Sequence, residues 1–261
     1  TTSILASSLW LDEGISYNQD TLHTLADTYY ASTFQGQMGD GAYTRALRDW
    51  LNEQTGGLLQ DQIGEITLDR QTILALATTI YFRAKWAGEF REENTAQDVF
   101  HGAAGDVTVD FMHKTTTSSY YWGEQFGAVG LRLENGAGTM WFLLPDEGVH
   151  PEELLRDEKA MDFLLSSGDW EQSKQLKIRL SIPKFDVSSQ MDLLAGLAQL
   201  GVTDVADPDK SDFTPLTAEP MDDAVVLSKV KHGVRVAIDE EGLTAAAYTV
   251  MATDTSSAMP P

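Results

Sequence analysis

The segment Gly242–Thr253 decides the fold. Its sequence is Gly-Leu-Thr-Ala-Ala-Ala-Tyr-Thr-Val-Met-Ala-Thr, and its residues are mostly small, carry no charge and include no proline. An exposed loop usually carries charge and turn-forming residues. Alternate residues of an extended chain point to opposite faces. One alternating set has no charge and can face a sheet interior: Leu243, Ala245, Ala247, Thr249, Met251 and Thr253. The other set includes the acidic residue Asp254, so the face formed by this set can remain exposed to solvent. The pattern predicts a strand that a sheet can accept in its middle; an edge strand followed by a disordered tail is the alternative.

The rest of the chain mixes helix and strand signals. Apolar residues at helical spacing predict helices near Leu22–Tyr29, Tyr43–Leu51 and Leu193–Leu200. Apolar runs or alternation predict four strands: Ile73–Phe82, Met140–Leu144, Leu176–Ile182 and Val230–Ile238. In the last of these, His232 lies on the apolar face, opposite Lys231 and Gly233. Because helices and strands do not alternate strictly, we predict an α+β fold with large sheets.

Composition excludes several classes of function. The chain has 261 residues, a net charge of −22 and no cysteine. Such an acidic chain repels nucleic-acid phosphates, and it lacks disulfides, thiol nucleophiles and cysteine-ligated zinc. No apolar run reaches the roughly 18 residues of a membrane span. The histidines occur in no hydrolase or metal-binding motif. We therefore expect no enzyme, no metal, no cofactor, and no nucleic-acid or membrane partner.

A family resemblance rests on several ordered motifs. Asp239–Thr249 resembles the serpin hinge, whose typical form is Glu-Glu-Gly-Thr-Glu-Ala-Ala-Ala-Ala-Thr. Further stretches are similar to serpin signatures in the same order along the chain: Trp50 with Thr55 and Gly57, Thr72–Trp86, Phe90 with Asn94 and Thr95, Leu143–Glu147, Ile182–Phe185 and Ser228–His232.

The resemblance implies a serpin fold, with three β-sheets, surrounding helices and a mobile reactive-centre loop. It further implies one domain over 1–261, incomplete at both ends, with the hinge and reactive-centre loop at 239–261. The family's N-terminal helices and the C-terminal strands after the loop are missing, so the remaining C-terminal segment is an expected partner.

The resemblance also implies inhibition of a serine protease by a suicide-substrate mechanism. The protease attacks the loop, which then enters the central sheet as a new strand and distorts the bound enzyme. A non-inhibitory serpin-fold protein, acting as a carrier, chaperone or protease substrate, is the alternative. The sequence has no cluster of Lys and Arg that could bind a polyanion, so we do not expect heparin binding. The expected location is extracellular.

Three groups of site residues follow from the resemblance. The expected hinge residues are Glu240, Glu241, Gly242, Leu243, Thr244, Ala245, Ala246, Ala247 and Thr249. The expected sheet-opening region contains Trp86, Thr78 and His232, although we favour a hydrogen-bonded core role for this histidine. The expected reactive bond is Ser256-Ser257, with Thr255, Ala258 and Met259 as alternatives. These small or uncharged residues favour elastase-like or subtilisin-like targets over trypsin-like ones.

Several residues depart from the family pattern. Leu243 occupies a position that is usually Thr or Ser, and a large side chain there would slow insertion. Thr78 and Thr79 replace Asn-Ala, so we expect different hydrogen bonds beneath the sheet. Gly233 replaces a Lys. For Gly242, we expect that a hinge needs glycine for the unusual backbone dihedrals it adopts during insertion; a simple turn glycine is the alternative.

Overall fold

The structure, a computed structural model, describes residues 1–102, 104–166 and 168–256. Its strands are β1 (Thr2–Asp12), β2 (Ala31–Gly36), β3 (Thr72–Lys85), β4 (Thr95–Gly102), β5 (Gly105–Trp122), β6 (Phe126–Arg132), β7 (Thr139–Pro145), β8 (Ser173–Pro183), β9 (Phe185–Asp192), β10 (Val225–Ile238) and β11 (Gly242–Thr255). Its α-helices are α1 (Gln19–Tyr29), α2 (Gly41–Gln54), α3 (Gln60–Ile63), α4 (Pro151–Leu154), α5 (Glu158–Leu165) and α6 (Leu194–Gln199). The α+β prediction is confirmed, and each predicted helix and strand has a counterpart.

The chain divides into two compact units. The first contains Thr1, Arg83–Asp186 and Ala237–Thr244, and the second contains Thr2–Phe82, Val187–Val236 and Ala245–Pro261, each as far as its residues are described. That residues 1–261 form one domain stays a prediction.

A six-stranded sheet, with the order β2-β1-β3-β11-β10-β9, contains most of the strand residues of the second unit. A large core cluster lies where alanines of β3 and residues of β11 meet the apolar stripe of α2 and the short helix α3. Its fully buried members include Leu47, Leu51 and Ile63. The helical spacing of Leu47 and Leu51 puts both on one face of α2, which explains why that face packs on the sheet.

A smaller cluster in the second unit joins Leu74 of β3 to Leu9 and Leu11 of β1. The side chains of Leu22 and Leu25 pack against it, but helix α1 has no buried residue. The cluster is therefore only lightly covered by α1.

The first unit contains a five-stranded antiparallel sheet, built around β5. Strand β5 pairs with β4 and β8 over most of its length and with β6 through its last three residues, Tyr120–Trp122. Because this one long strand connects all its neighbours, the described residues form two sheets, whereas the resemblance implied three. An aromatic cluster around Phe163 of α5 and Trp141 of β7 covers part of this sheet.

No helix in the part of the chain that the structure describes is long and apolar enough to cross a membrane. Within the same residues, no group of three or more His, Asp or Glu side chains is placed to hold a metal ion.

Candidate functional site

The segment Gly242–Thr255 forms β11, between β3 and β10 in the middle of the six-stranded sheet. The prediction of a strand that a sheet can accept in its middle is confirmed, and the edge-strand alternative is wrong. The small residues explain this position, because they fit between two strands without clashes. At about 3.3 Å per residue, the 14 residues of β11 span about 46 Å.

The face of β11 that was expected to lie inward is the less buried one. Ala246, Tyr248 and Val250 belong to the large core cluster, whereas the alternate residues are half-buried apart from Thr253. Both alternating sets are rich in alanine and threonine, so hydrophobicity could not distinguish them. The charge of Asp254 did not indicate which face is exposed, because this residue lies near the end of the strand and its carboxylate accepts a hydrogen bond from Thr72 Oγ1 (2.9 Å).

A tight turn at Asp239–Gly242 connects β10 to β11 and contains the first residues of the expected hinge, Glu240, Glu241 and Gly242. The amide of Asp239 donates to the carbonyl of Gly242 (3.1 Å). The Asp239 carboxylate accepts hydrogen bonds from the amides of Glu241 (2.9 Å) and Gly242 (3.0 Å). The turn therefore satisfies its own backbone donors, as Asp commonly does in turns.

Glu240 is the buried charge of this turn, with 8% of its surface exposed. Its carboxylate forms an ion pair with Lys184 Nζ (2.8 Å) and accepts a hydrogen bond from Thr95 Oγ1 (2.7 Å). Burial alone would raise the pKa of Glu240, but these two bonds outweigh burial and hold the pKa below its ordinary value. The same ion pair raises the pKa of Lys184. Glu241 differs, since it is exposed and its carboxylate lies 3.5 Å from the exposed Lys85 ammonium.

Trp86 fixes the turn from the neighbouring chain segment. Its indole N–H donates to the Asp239 carbonyl (2.8 Å), and its amide donates to the Glu241 carbonyl (2.9 Å). The amide of Phe90 donates to the Glu240 carbonyl (3.0 Å), so three successive carbonyls of the turn are bound from residues 86–90. Trp86 is 1% exposed, and its ring packs edge-to-face on Phe90.

In this structure Gly242 is required by the close approach of a neighbouring strand, while the expectation about its dihedrals during insertion stays a prediction. Its backbone is not among those with a positive φ, so unusual dihedrals do not require glycine in this structure. A Cβ at this position would lie 2.1 Å from the carbonyl oxygen of Ala84 and 2.8 Å from the Cα of Lys85. Close approach of the β3 backbone therefore excludes any side chain.

His232 is half-buried on β10, and its Nδ1 lies 2.9 Å from Thr249 Oγ1 of β11. This agrees with the hydrogen-bonded role that we favoured for it. Thr78 is half-buried on β3, while the neighbouring Thr79 is 2% exposed and its hydroxyl has no hydrogen-bond partner among the described residues. The remaining hinge residues are half-buried in β11: Leu243, Thr244, Ala245 and Ala247.

Sequence patterns did not identify Lys184 or Gly233 as residues of this site. Lys184 was noted only within a family signature, and its pairing with Glu240 brings together residues far apart in sequence. Gly233 departs from the family pattern, and a Cβ there would lie 2.4 Å from the ring of Tyr248. A glycine in one strand and a tyrosine among the small residues of another were the available signals.

The expected reactive bond lies at the end of the described chain. Thr255 is the last residue of β11, and its amide donates to the Gln71 carbonyl (3.3 Å). The amide of Ser256 donates to the Ala224 carbonyl (2.7 Å). Ser257, Ala258 and Met259 lie outside the described residues, so the choice of reactive bond stays a prediction.

Comparisons with known proteins agree on the family. The family model "Serpin (serine protease inhibitor)" matches residues 2–261. A serine proteinase inhibitor of Cavia porcellus is 30% identical over 98% of this chain and 60% of its own length. An uncharacterized serpin-like protein of Thermococcus kodakarensis is 27% identical over 94% of this chain and 55% of its own length.

Solved structures show the same fold. Ovalbumin from emu (Dromaius novaehollandiae) has a TM-score of 0.89 at 21% identity, covering 100% of this chain and 67% of its own. The thermophilic serpin tengpin in its latent state has a TM-score of 0.83 at 24% identity, covering 96% of this chain and 67% of its own. The chain spans about half to three fifths of the length of the curated relatives that it matches. With the family model matched along nearly its whole length, the chain belongs to the serpin family.

Proposed function

We propose that this protein inhibits a serine protease of elastase-like or subtilisin-like specificity by a suicide-substrate mechanism. The serine of the protease attacks a loop carbonyl near Ser256, the peptide bond there breaks, and the loop stays bound to the protease as an acyl-enzyme. The loop segment then occupies the position of β11 and moves the bound protease away before deacylation. The protein acts outside the cell, and it is an inhibitor rather than an enzyme.

The observation that carries the proposal is the position of β11 between β3 and β10. A reactive-centre loop must be an acceptable bait in solvent and also an acceptable central strand. The segment has no charge from Gly242 to Thr253 and buries Ala246, Tyr248 and Val250 without an unpaired charge. Burial of this apolar surface supplies a driving force for the strand to enter the sheet.

The turn at Asp239–Gly242 supports the proposal from the other end of the segment. Its carbonyls and the Glu240 carboxylate are bound by residues of the same compact unit. A fixed turn lets the following residues change position while their attachment point stays in place. We therefore infer that insertion begins beside Gly242 and proceeds towards Ser256.

A further segment of serpin chain on the carboxyl side is a proposed partner. In the described residues, β7 is the last strand of its sheet, with β6 as its only neighbour. Its sequence Met-Trp-Phe-Leu-Leu is apolar, and Leu144 is 75% exposed. An apolar edge of this kind is a template for another strand.

Incubation with elastase-like and subtilisin-like proteases tests the proposal. An inhibitor yields a complex that survives denaturing gel electrophoresis, whereas a substrate yields only cleaved chain. Ala246→Glu places a charge at a site that is 2% exposed and should convert the inhibitor into a substrate. Ala87→Glu, the same change at an exposed position, is the matched control and should still form the complex. Cleavage of the unaltered protein without any stable complex would refute inhibition.

The non-inhibitory alternative is favoured by one residue, Leu243, which is half-buried at the start of β11. A side chain of this size slows entry and gives the protease time to deacylate. The Leu243→Thr variant separates the two functions. If the unaltered chain is only cleaved while Leu243→Thr forms the complex, the alternative is correct and Leu243 is its cause.

A further inference from the structure

Tyr248 is the only aromatic residue of β11, and it is 1% exposed. Its ring joins the core cluster that includes residues of α2 and α3. A strand made of small residues can pass between two neighbours easily, but a buried tyrosine needs a space of its own size. The neighbouring strand β10 provides that space at one position.

The space exists because residue 233 has no side chain. A Cβ at Gly233 would lie 2.4 Å from Cε1 and 2.7 Å from Cζ of Tyr248. A buried ring cannot yield to such an overlap without moving its strand. The Cβ would also lie 2.4 Å from Gln62 Oε1, but that atom ends a flexible side chain. Gly233 has no positive φ, so the ring rather than the backbone requires the glycine.

The next positions on the same face of β10 carry long side chains. Lys231 forms an ion pair with Asp192 (3.2 Å), and Arg235 donates to the Leu58 carbonyl (2.9 Å). A slip of two residues keeps the same face of β11 towards the core. It would move the Tyr248 ring from Gly233 to Lys231 or Arg235, where a side chain already occupies the space.

A hydrogen bond to the hydroxyl of Tyr248 also fixes the position of this residue. Gln190 Nε2 of β9 donates to the Tyr248 hydroxyl (3.1 Å), so the phenol is fixed at its far end as well as along its ring. One residue further along, His232 Nδ1 contacts Thr249 Oγ1 at 2.9 Å. Ring, hydroxyl and neighbouring side chains all define the same alignment of β11 on β10.

We propose that Tyr248 and Gly233 form a ring-and-notch pair that sets the register of β11 in the sheet. Tyr248 is thus a positioning residue. The inference rests on the proposed function, because Tyr248 reaches the space beside Gly233 only when the loop has entered the sheet. The register decides how far the loop travels, and so where a bound protease is left.

A double-mutant cycle on the full chain tests the pair. Melting temperatures are measured before and after limited cleavage of the loop by subtilisin, for Gly233→Ala, Tyr248→Ala and the double variant. In the form with β11 in the sheet, Gly233→Ala should lower the melting temperature by about 3–8 °C. In the Tyr248→Ala background the same change should have no effect. Gly196→Ala is the control, since no described residue lies within 4 Å of the added Cβ. Equal losses in both backgrounds would overturn the pair.

Register itself is measured by cross-linking, because the chain has no cysteine of its own. In the His232→Cys, Thr249→Cys variant, oxidation should form an intrachain disulfide. Adding Gly233→Ala should lower its yield at least about 5-fold, since a disulfide tolerates little displacement of its Cβ atoms. Adding Tyr248→Ala as well should restore it. Equal yields in all three backgrounds would refute a role in register. Neither measurement needs an inhibited protease, so failure to trap one would refute the proposed function alone.

Discussion

The ion pair between Lys184 and Glu240 gives the sharpest prediction for the hinge turn. We predict that Lys184→Met lowers the free energy of unfolding, since it leaves the Glu240 carboxylate buried with Thr95 as its one side-chain donor in the described part of the chain. A hydrogen bond to a charged group contributes about 1.5–3 kcal/mol. The Lys184 side chain is 37% exposed, so solvent screens part of its charge. We therefore expect a loss in the lower part of this range, about 2 kcal/mol.

The assay is urea unfolding followed by tryptophan fluorescence, because Trp86 is buried and bonded to the same turn. Lys85→Met is the matched control, since it removes the exposed ammonium beside Glu241. We expect no measurable change for that variant. A loss as large for Lys85→Met as for Lys184→Met would show that net charge, rather than the buried pair, is responsible.

The pH dependence separates the lost charge from lost packing. The pKa of Glu240 is held below its ordinary value of 4.5, so the contribution of the pair is fully present above that value and is lost as the pH falls from it through the lowered folded-state pKa. In Lys184→Met, burial is opposed mainly by Thr95 and should raise that pKa, so the variant gains stability on acidification. The difference between the two proteins must therefore shrink from pH 7 to pH 3.5. A difference that stays constant would refute the electrostatic reasoning.

Three further changes test other parts of the site and its support. Gly242→Ala should cost about 1–3 kcal/mol, because its Cβ would overlap the β3 backbone, while Gly196→Ala on α6 should cost nothing in the same thermal melt. Thr72→Val should cost about 1 kcal/mol by removing the donor to the half-buried Asp254 carboxylate; in the Asp254→Ala background the melt should show no further loss. Tyr43 of α2 packs against the core cluster that includes residues of β11, and burial raises its pKa to about 12. Its contribution to stability is therefore present below pH 10 and lost as the pH rises towards 12, and an absorbance titration of Tyr43→Phe should show one fewer tyrosine ionising near pH 12.

The elements of the fold could be predicted because their signals are local. The apolar run Ile73–Phe82 lies within β3, and the alternation from Leu176 to Ile182 lies within β8. Gly201, placed after the last predicted helix, has a φ of +92° just beyond α6. Turn chemistry and hydrophobic periodicity act over a few residues, so the sequence carries them directly.

The site could be predicted only in part, because its contacts join distant segments. The hinge motif identified Glu240, but no residue near it in sequence indicates that Lys184 and Thr95 bind its carboxylate and offset the cost of burying its charge. Likewise, the buried face of β11 depends on what the neighbouring strands present. Ala246 and Ala245 are the same residue type, yet one is 2% exposed and the other half-buried. Periodicity shows that a strand has two faces, but which face is buried depends on the tertiary structure around it.

The turn and the strand are held by different kinds of interaction, and this separates their roles. Glu240 is bound by Lys184 and Thr95, partners that do not belong to β11, so its bonds do not require β11 to lie in the sheet. The Tyr248–Gly233 contact exists only when β11 lies beside β10. Lys184→Met should therefore destabilise the chain to a similar extent before and after loop cleavage. Gly233→Ala should act only where the strand is inserted, so the ratio of the two effects measures how much of a sample has its loop in the sheet.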